Sequence, residues 1–71
     1  MDIERIDYLL TGIDNILKDY YKEGYCFYIS RSNYSILKDF LNNEIEVVGV
    51  NDILIPSDTI VYGEREGSWR Y

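Results

Sequence analysis

Tyr25-Cys26-Phe27-Tyr28-Ile29 is apolar at every position and dominated by aromatic and branched side chains. A strand with one wet face alternates apolar with polar residues; one that is apolar on both alternating faces suits the interior of a sheet rather than its edge. This stretch predicts strand 1, and the rest of the chain is read outward from it.

Upstream, Ile3, Ile6, Leu10, Ile13, Leu17 and Tyr20 recur at helical spacing with Leu9 and Ile16 beside them. That spacing draws one apolar stripe and predicts helix 1 over residues 2–22. Asp2 is placed to cap its first turn, and Gly24 stands where a left-handed C-terminal cap is wanted. Gly12 costs about 1 kcal/mol relative to alanine within a helix, so helix 1 depends on packing its stripe.

Downstream, Ser30 or Ser32 offers an N-cap, and Tyr34, Ile36, Leu37, Phe40 and Leu41 return to helical spacing until Asn42-Asn43. Helix 2 is expected over 33–42. From Ile45 the period becomes two, through Val50, and Ile53-Leu54-Ile55 follows before Pro56. This predicts a hairpin around Asn51-Asp52, a further strand over Thr59-Ile60-Val61-Tyr62, and a last strand, Ser68-Trp69-Arg70-Tyr71, turned back at Glu66-Gly67. Consecutive short strands joined by tight turns imply an antiparallel pattern. The expected class is α+β: two amphipathic helices on a small, mostly antiparallel sheet of four to five strands, in the order αβαβββ(β). Residues 1–71 form a single domain, since a chain this short cannot be divided into two cores.

The net charge of −6 comes from thirteen acids against seven bases. It repels phosphate backbones and anionic headgroups, so direct nucleic-acid binding and membrane-surface binding are not expected; the complementary partner is a basic surface on a larger protein. The acid is concentrated at both ends: residues 1–23 carry six acids and three bases, 24–43 one acid and two bases, and 44–71 six acids and two bases. Cys26 has no second cysteine to pair with, which fits a reducing compartment. Met1-Asp2-Ile3-Glu4 begins neither a signal peptide nor a membrane span, so the expected location is cytoplasmic. Alanine, histidine and glutamine are absent while isoleucine numbers ten and tyrosine eight, a usage favoured by AT-rich codons.

The lack of histidine removes the commonest general base near neutral pH and the commonest metal ligand. Cys26, within the strand 1 run, reads as a small core hydrophobe. The five glycines are scattered, and none belongs to a phosphate-cradling motif; they read as a packing contact at Gly12, a cap at Gly24, a bulge at Gly49 and turns at Gly63 and Gly67. Asp58 with Glu64 and Glu66 distantly resembles the acid spacing of metal-dependent nucleases, without the lysine that completes it. No catalytic residue, cofactor or metal site is therefore assigned, and the chain is not expected to be an enzyme.

Two surfaces remain as candidates for partner binding. Helix 1 presents Glu4, Asp7 and Asp14 on its polar face, and the C-terminal region offers Tyr62, Glu64, Glu66 and Trp69. Acids steer a basic partner, and tyrosine and tryptophan anchor it with large rigid area at low entropic cost. In size, acidity and codon usage the chain is similar to small phage-encoded anti-defence proteins, anti-CRISPR inhibitors among them, a similarity of bulk properties rather than of motif. It implies a stoichiometric inhibitor that occludes a basic or nucleic-acid-binding surface by mimicking nucleic acid. The alternative is a structural accessory protein, a self-associating subunit or minor virion component that pairs through an open strand edge.

Overall fold

The computed structural model describes residues 3–41 and 45–65. The double-sided strand is where the sequence places it: β1 spans Tyr25–Ser30 and is buried from Cys26 onward. Among the described residues it is the central strand of three, flanked by β2 (Val47–Val50) and β3 (Val61–Glu64) in the order β2-β1-β3. α1 spans Ile3–Tyr20 and α2 spans Arg31–Leu37.

The sheet is mixed, not mostly antiparallel. β3 runs antiparallel to β1, with Phe27 opposite Tyr62, but β2 runs parallel, with Phe27 opposite Val47. The reason is the helix between them. Ser30 ends β1 and is also the N-cap of α2, its hydroxyl accepting the Asn33 N–H at 3.3 Å. The chain thus reverses through a helix before β2 begins, and a strand reached through a helical crossover returns parallel. β1, α2 and β2 form a βαβ unit, and helix 2 is shorter and earlier than its expected 33–42.

The hairpin around Asn51-Asp52 does not form. The Asn51 side-chain oxygen accepts the Ile53 N–H at 2.9 Å, and its carbonyl accepts the N–H groups of Leu54 at 2.8 Å and Ile55 at 3.2 Å. Asparagine offers the backbone this local alternative to a ladder, and the chain curls instead of extending. Ile55 is buried by the curl, while Ile53 is left 89 % exposed. The strand expected over 59–62 begins and ends two residues later, because Thr59 closes a turn onto the Pro56 carbonyl at 3.1 Å. The expected strand over 68–71 lies outside the described residues.

The pleat of β1 divides the core. Phe27 and Ile29 face both helices and join Ile6, Leu9 and Ile13 of α1 and Leu37 of α2. Cys26 and Tyr28 face the other way, with Val50 and Ile55. The Tyr28 hydroxyl, on a fully buried ring, donates to the carbonyls of Glu64 and Arg65 and so meets the requirement that a buried phenol be paired. Two glycines act by close approach. A Cβ at Gly12 would lie 3.0 Å from the Ile60 side chain, and one at Gly49 3.1 Å from the Tyr34 Cβ. Gly49 therefore lets α2 settle on β2 and is not a bulge. Gly24 is left-handed, at φ 86°, but it serves the turn that leads into β1, four residues beyond the end of α1.

A side chain from the curl also holds α2. The Asp52 carboxylate accepts the Ser32 N–H at 3.3 Å and the Ser32 hydroxyl. These hydrogen bonds from Ser32, the side-chain one first, hold the Asp52 carboxyl below the usual carboxylate range. A carboxyl whose folded pKa is depressed contributes stability above its unfolded pKa and loses it as pH falls through the lowered folded value. Asp52→Asn is accordingly expected to flatten the acid limb of the stability profile. Urea unfolding of both proteins across that range checks it, and parallel profiles would exclude the linkage.

Candidate functional site

α1 packs its apolar stripe on the sheet and turns Glu4, Asp7, Thr11, Asp14 and Lys18 to solvent, as helical spacing requires. The loop that follows Pro56 comes up against this outward-facing side. Between them lies an open groove of about 460 Å³ that includes Glu4, Asp7, Tyr8, Thr11 and Asn15 of α1 with Asp58 of the loop. Among the described residues three carboxylates line it and no lysine or arginine does.

Its shape depends on a buried amide. Asn33 of α2 is 1 % exposed; its side-chain nitrogen donates to the Ser57 carbonyl at 2.6 Å, and its oxygen accepts from Arg5 Nη1 at 3.4 Å. Arg5 Nη1 also donates to the Ser57 carbonyl, at 3.3 Å. The first turn of α1, the first turn of α2 and the 57–58 loop are thus tied at one point, which fixes Asp58 opposite Glu4 and Asp7. The guanidinium next to Glu4 in sequence is engaged in this tie.

Of the acids nominated from the sequence, Glu4 and Asp7 share the groove, whereas Asp14 is exposed on α1 and does not line it. Asp58, considered above only beside the nuclease acids, is the third member. Tyr8 was missed. It follows Glu4 by one helical turn, so the spacing that marked Glu4 also puts Tyr8 on the groove, where the residue is 60 % exposed. Among the described residues no group of three or more cysteine, aspartate or glutamate side chains is disposed to hold a metal ion.

The C-terminal candidates stand elsewhere. Tyr62 is half-buried on β3, its ring centroid 4.7 Å from that of Phe27 and 5.3 Å from that of Tyr25. Its hydroxyl accepts the Lys22 N–H at 3.0 Å and donates to the Lys22 carbonyl at 3.2 Å. Glu64 is exposed at the end of β3, opposite Tyr25. Glu66 and Trp69 lie outside the described residues. The two nominated surfaces are therefore at different places on the fold, one on the outer side of α1 and one at the turn into β1.

Among the described residues no helix is long and apolar enough to cross a membrane. No family model, curated protein or solved structure matches the chain.

Proposed function

We infer that the protein is a stoichiometric binding protein whose α1 groove engages a basic surface on a larger protein, in the manner of an inhibitor that excludes nucleic acid from that surface. The observation that carries this reading is the composition of the groove: among the described residues Glu4, Asp7 and Asp58 line it with the exposed Tyr8, and Arg5, which borders the adjoining space, is engaged by Asn33 and Ser57. Carboxylates at the rim accelerate encounter with a cationic surface and reject anionic competitors. An exposed tyrosine in their midst supplies anchoring area and a ring face for an incoming arginine or lysine. Ile53 and Leu54, exposed beyond β2, favour self-association as a second reading. A net charge of −6 on every copy opposes it.

The test is capture from nuclease-treated lysate of a low-GC bacterium, followed by competition with the purified partner. The wild-type protein is expected to retain a nucleic-acid-binding protein at low salt, to release it as salt rises, and to block its nucleic-acid binding. The double substitution Glu4→Lys/Asp7→Lys should weaken the complex by about tenfold or more, since like charges across an interface cost several kcal/mol. Equal retention by the variant would remove the groove from the interface; retention of no basic protein at any salt concentration would remove the function.

A further inference from the structure

At the opposite end of α1 the chain builds a second concavity, of about 430 Å³, between the helix end, the turn into β1, and β3. Its volume is within the range of pockets that enclose a small ligand, roughly 300–1,000 Å³. Tyr21, Tyr25, Phe27 and Tyr62 are among the residues that line it, beside polar and charged groups. Phe27 and Tyr62 are held in place. Phe27 is 1 % exposed, Tyr62 packs against both Phe27 and Tyr25, and the Tyr62 hydroxyl is bound on both sides by the Lys22 backbone. Among the described residues the charged lining consists of Glu23, Glu46, Lys22 and Arg65. Arg65 is engaged by Glu46, with Nε 3.1 Å from each carboxylate oxygen.

The remaining cation shows what the rings accept. Lys22 Nζ lies 4.9 Å from the centroid of the Tyr25 ring and 3.5 Å from its hydroxyl. An ammonium within about 6 Å of a ring centroid is drawn by the negative face of the π-system, and clustered aromatic rings are the usual receptor for alkylated ammonium ions. We propose that this pocket binds an alkylated ammonium group, and that the Lys22 side chain is its built-in competitor for the Tyr25 face. A ligand cation displaces the Lys22 ammonium toward solvent, where a flexible four-carbon stem carries it at little cost. The whole chain is acidic, and with Arg65 matched to Glu46 it is Glu23 that faces the bound cation once the Lys22 ammonium has moved out.

An anion would require the reverse, with Lys22 as its partner, so the effect of removing the lysine decides between them. Lys22→Ala keeps the backbone groups that hold Tyr62 and removes the ammonium together with its carbon stem. The full chain is titrated with tetramethylammonium, with choline, with a peptide containing trimethyllysine, and with benzoate, while the aromatic proton resonances are followed. Tetramethylammonium or the peptide should shift Tyr25 and Tyr62, and Lys22→Ala should tighten that binding by about threefold or more. Choline binding without the peptide identifies a free small molecule as the source; peptide binding alone identifies a modified protein side chain. Tyr25→Phe should bind at least as tightly as the wild type, because the ligand uses the ring and the lost hydroxyl no longer holds the Lys22 ammonium. Tyr25→Leu should weaken binding by about tenfold. If Tyr25→Leu does not fold, the sign of the Lys22→Ala effect still decides. Absence of binding by both the wild type and Lys22→Ala overturns the proposal, as does benzoate binding that Lys22→Ala abolishes. Glu4→Lys/Asp7→Lys should leave these titrations unchanged, which separates this site from the groove.

Discussion

Phe27→Ala is expected to bring the domain to the edge of unfolding at 25 °C. Phe27 is in the middle of the central strand, 1 % exposed, between the two helices and the Tyr62 ring. Truncating a buried phenylalanine costs about 3–5 kcal/mol from lost transfer energy and the cavity left behind. Loss of the ring pair with Tyr62 adds about 0.5–1.5 kcal/mol. Against this, a domain of this length has a total stability of roughly 4–10 kcal/mol. With a urea slope near 1 kcal/mol per molar for a small domain, the unfolding midpoint should fall by about 3 M or vanish altogether. A fall of less than about 1 M would mean that the core closes around the vacancy, contrary to the packing described.

Asn33→Leu is the more specific test, since it changes chemistry at nearly constant volume. The leucine fills the space but neither donates to the Ser57 carbonyl nor accepts from Arg5. Arg5 still donates to the Ser57 carbonyl, so the loss is that of the two amide hydrogen bonds, about 0.5–1.5 kcal/mol each; the variant should lose about 2 kcal/mol and remain folded. Its second effect is local. The tie that sets Asp58 opposite Glu4 and Asp7 is reduced to the Arg5–Ser57 hydrogen bond, so amide exchange should accelerate in the 57–59 turn and the first turn of α1, while β1 keeps its protection relative to global stability. A uniform loss of protection would show that Asn33 stabilises the fold as a whole without particular command of the groove.

The elements legible in the sequence are those whose pattern is written in their own residues. The stripe from Ile3 to Tyr20 predicts α1, and the unbroken apolar run from Tyr25 to Ile29 predicts a central strand; both are present. The direction of pairing is not written in any one strand. It follows from α2 lying between β1 and β2, and reading the strands after residue 45 as a meander overlooked that crossover. Ile53-Leu54-Ile55 has the composition of a strand, but the Asn51 side chain captures its backbone and Asp52 fastens it to Ser32, contacts that apolar periodicity does not register. Glu4 and Asp7 were legible as a face because helical spacing alone brings them together. Asp58 was not, because it arrives through the Arg5, Asn33 and Ser57 contacts from distant parts of the chain.

The central position of β1 has a further consequence during synthesis. β1 is completed early, but its antiparallel neighbour β3 is encoded about half the chain later, with Tyr25 opposite Glu64 and Tyr28 opposite Val61. Until Val61 has left the ribosome, the nascent chain holds a double-sided apolar strand with one hydrogen-bonding edge open, the state in which intermolecular pairing competes with folding. The high sequence separation of these contacts also slows the closing step once the whole chain is available. Vectorial synthesis therefore delivers the most aggregation-prone segment of the protein well before the segment that shields its second edge, and truncation ahead of Val61 should yield insoluble product in place of a smaller folded domain.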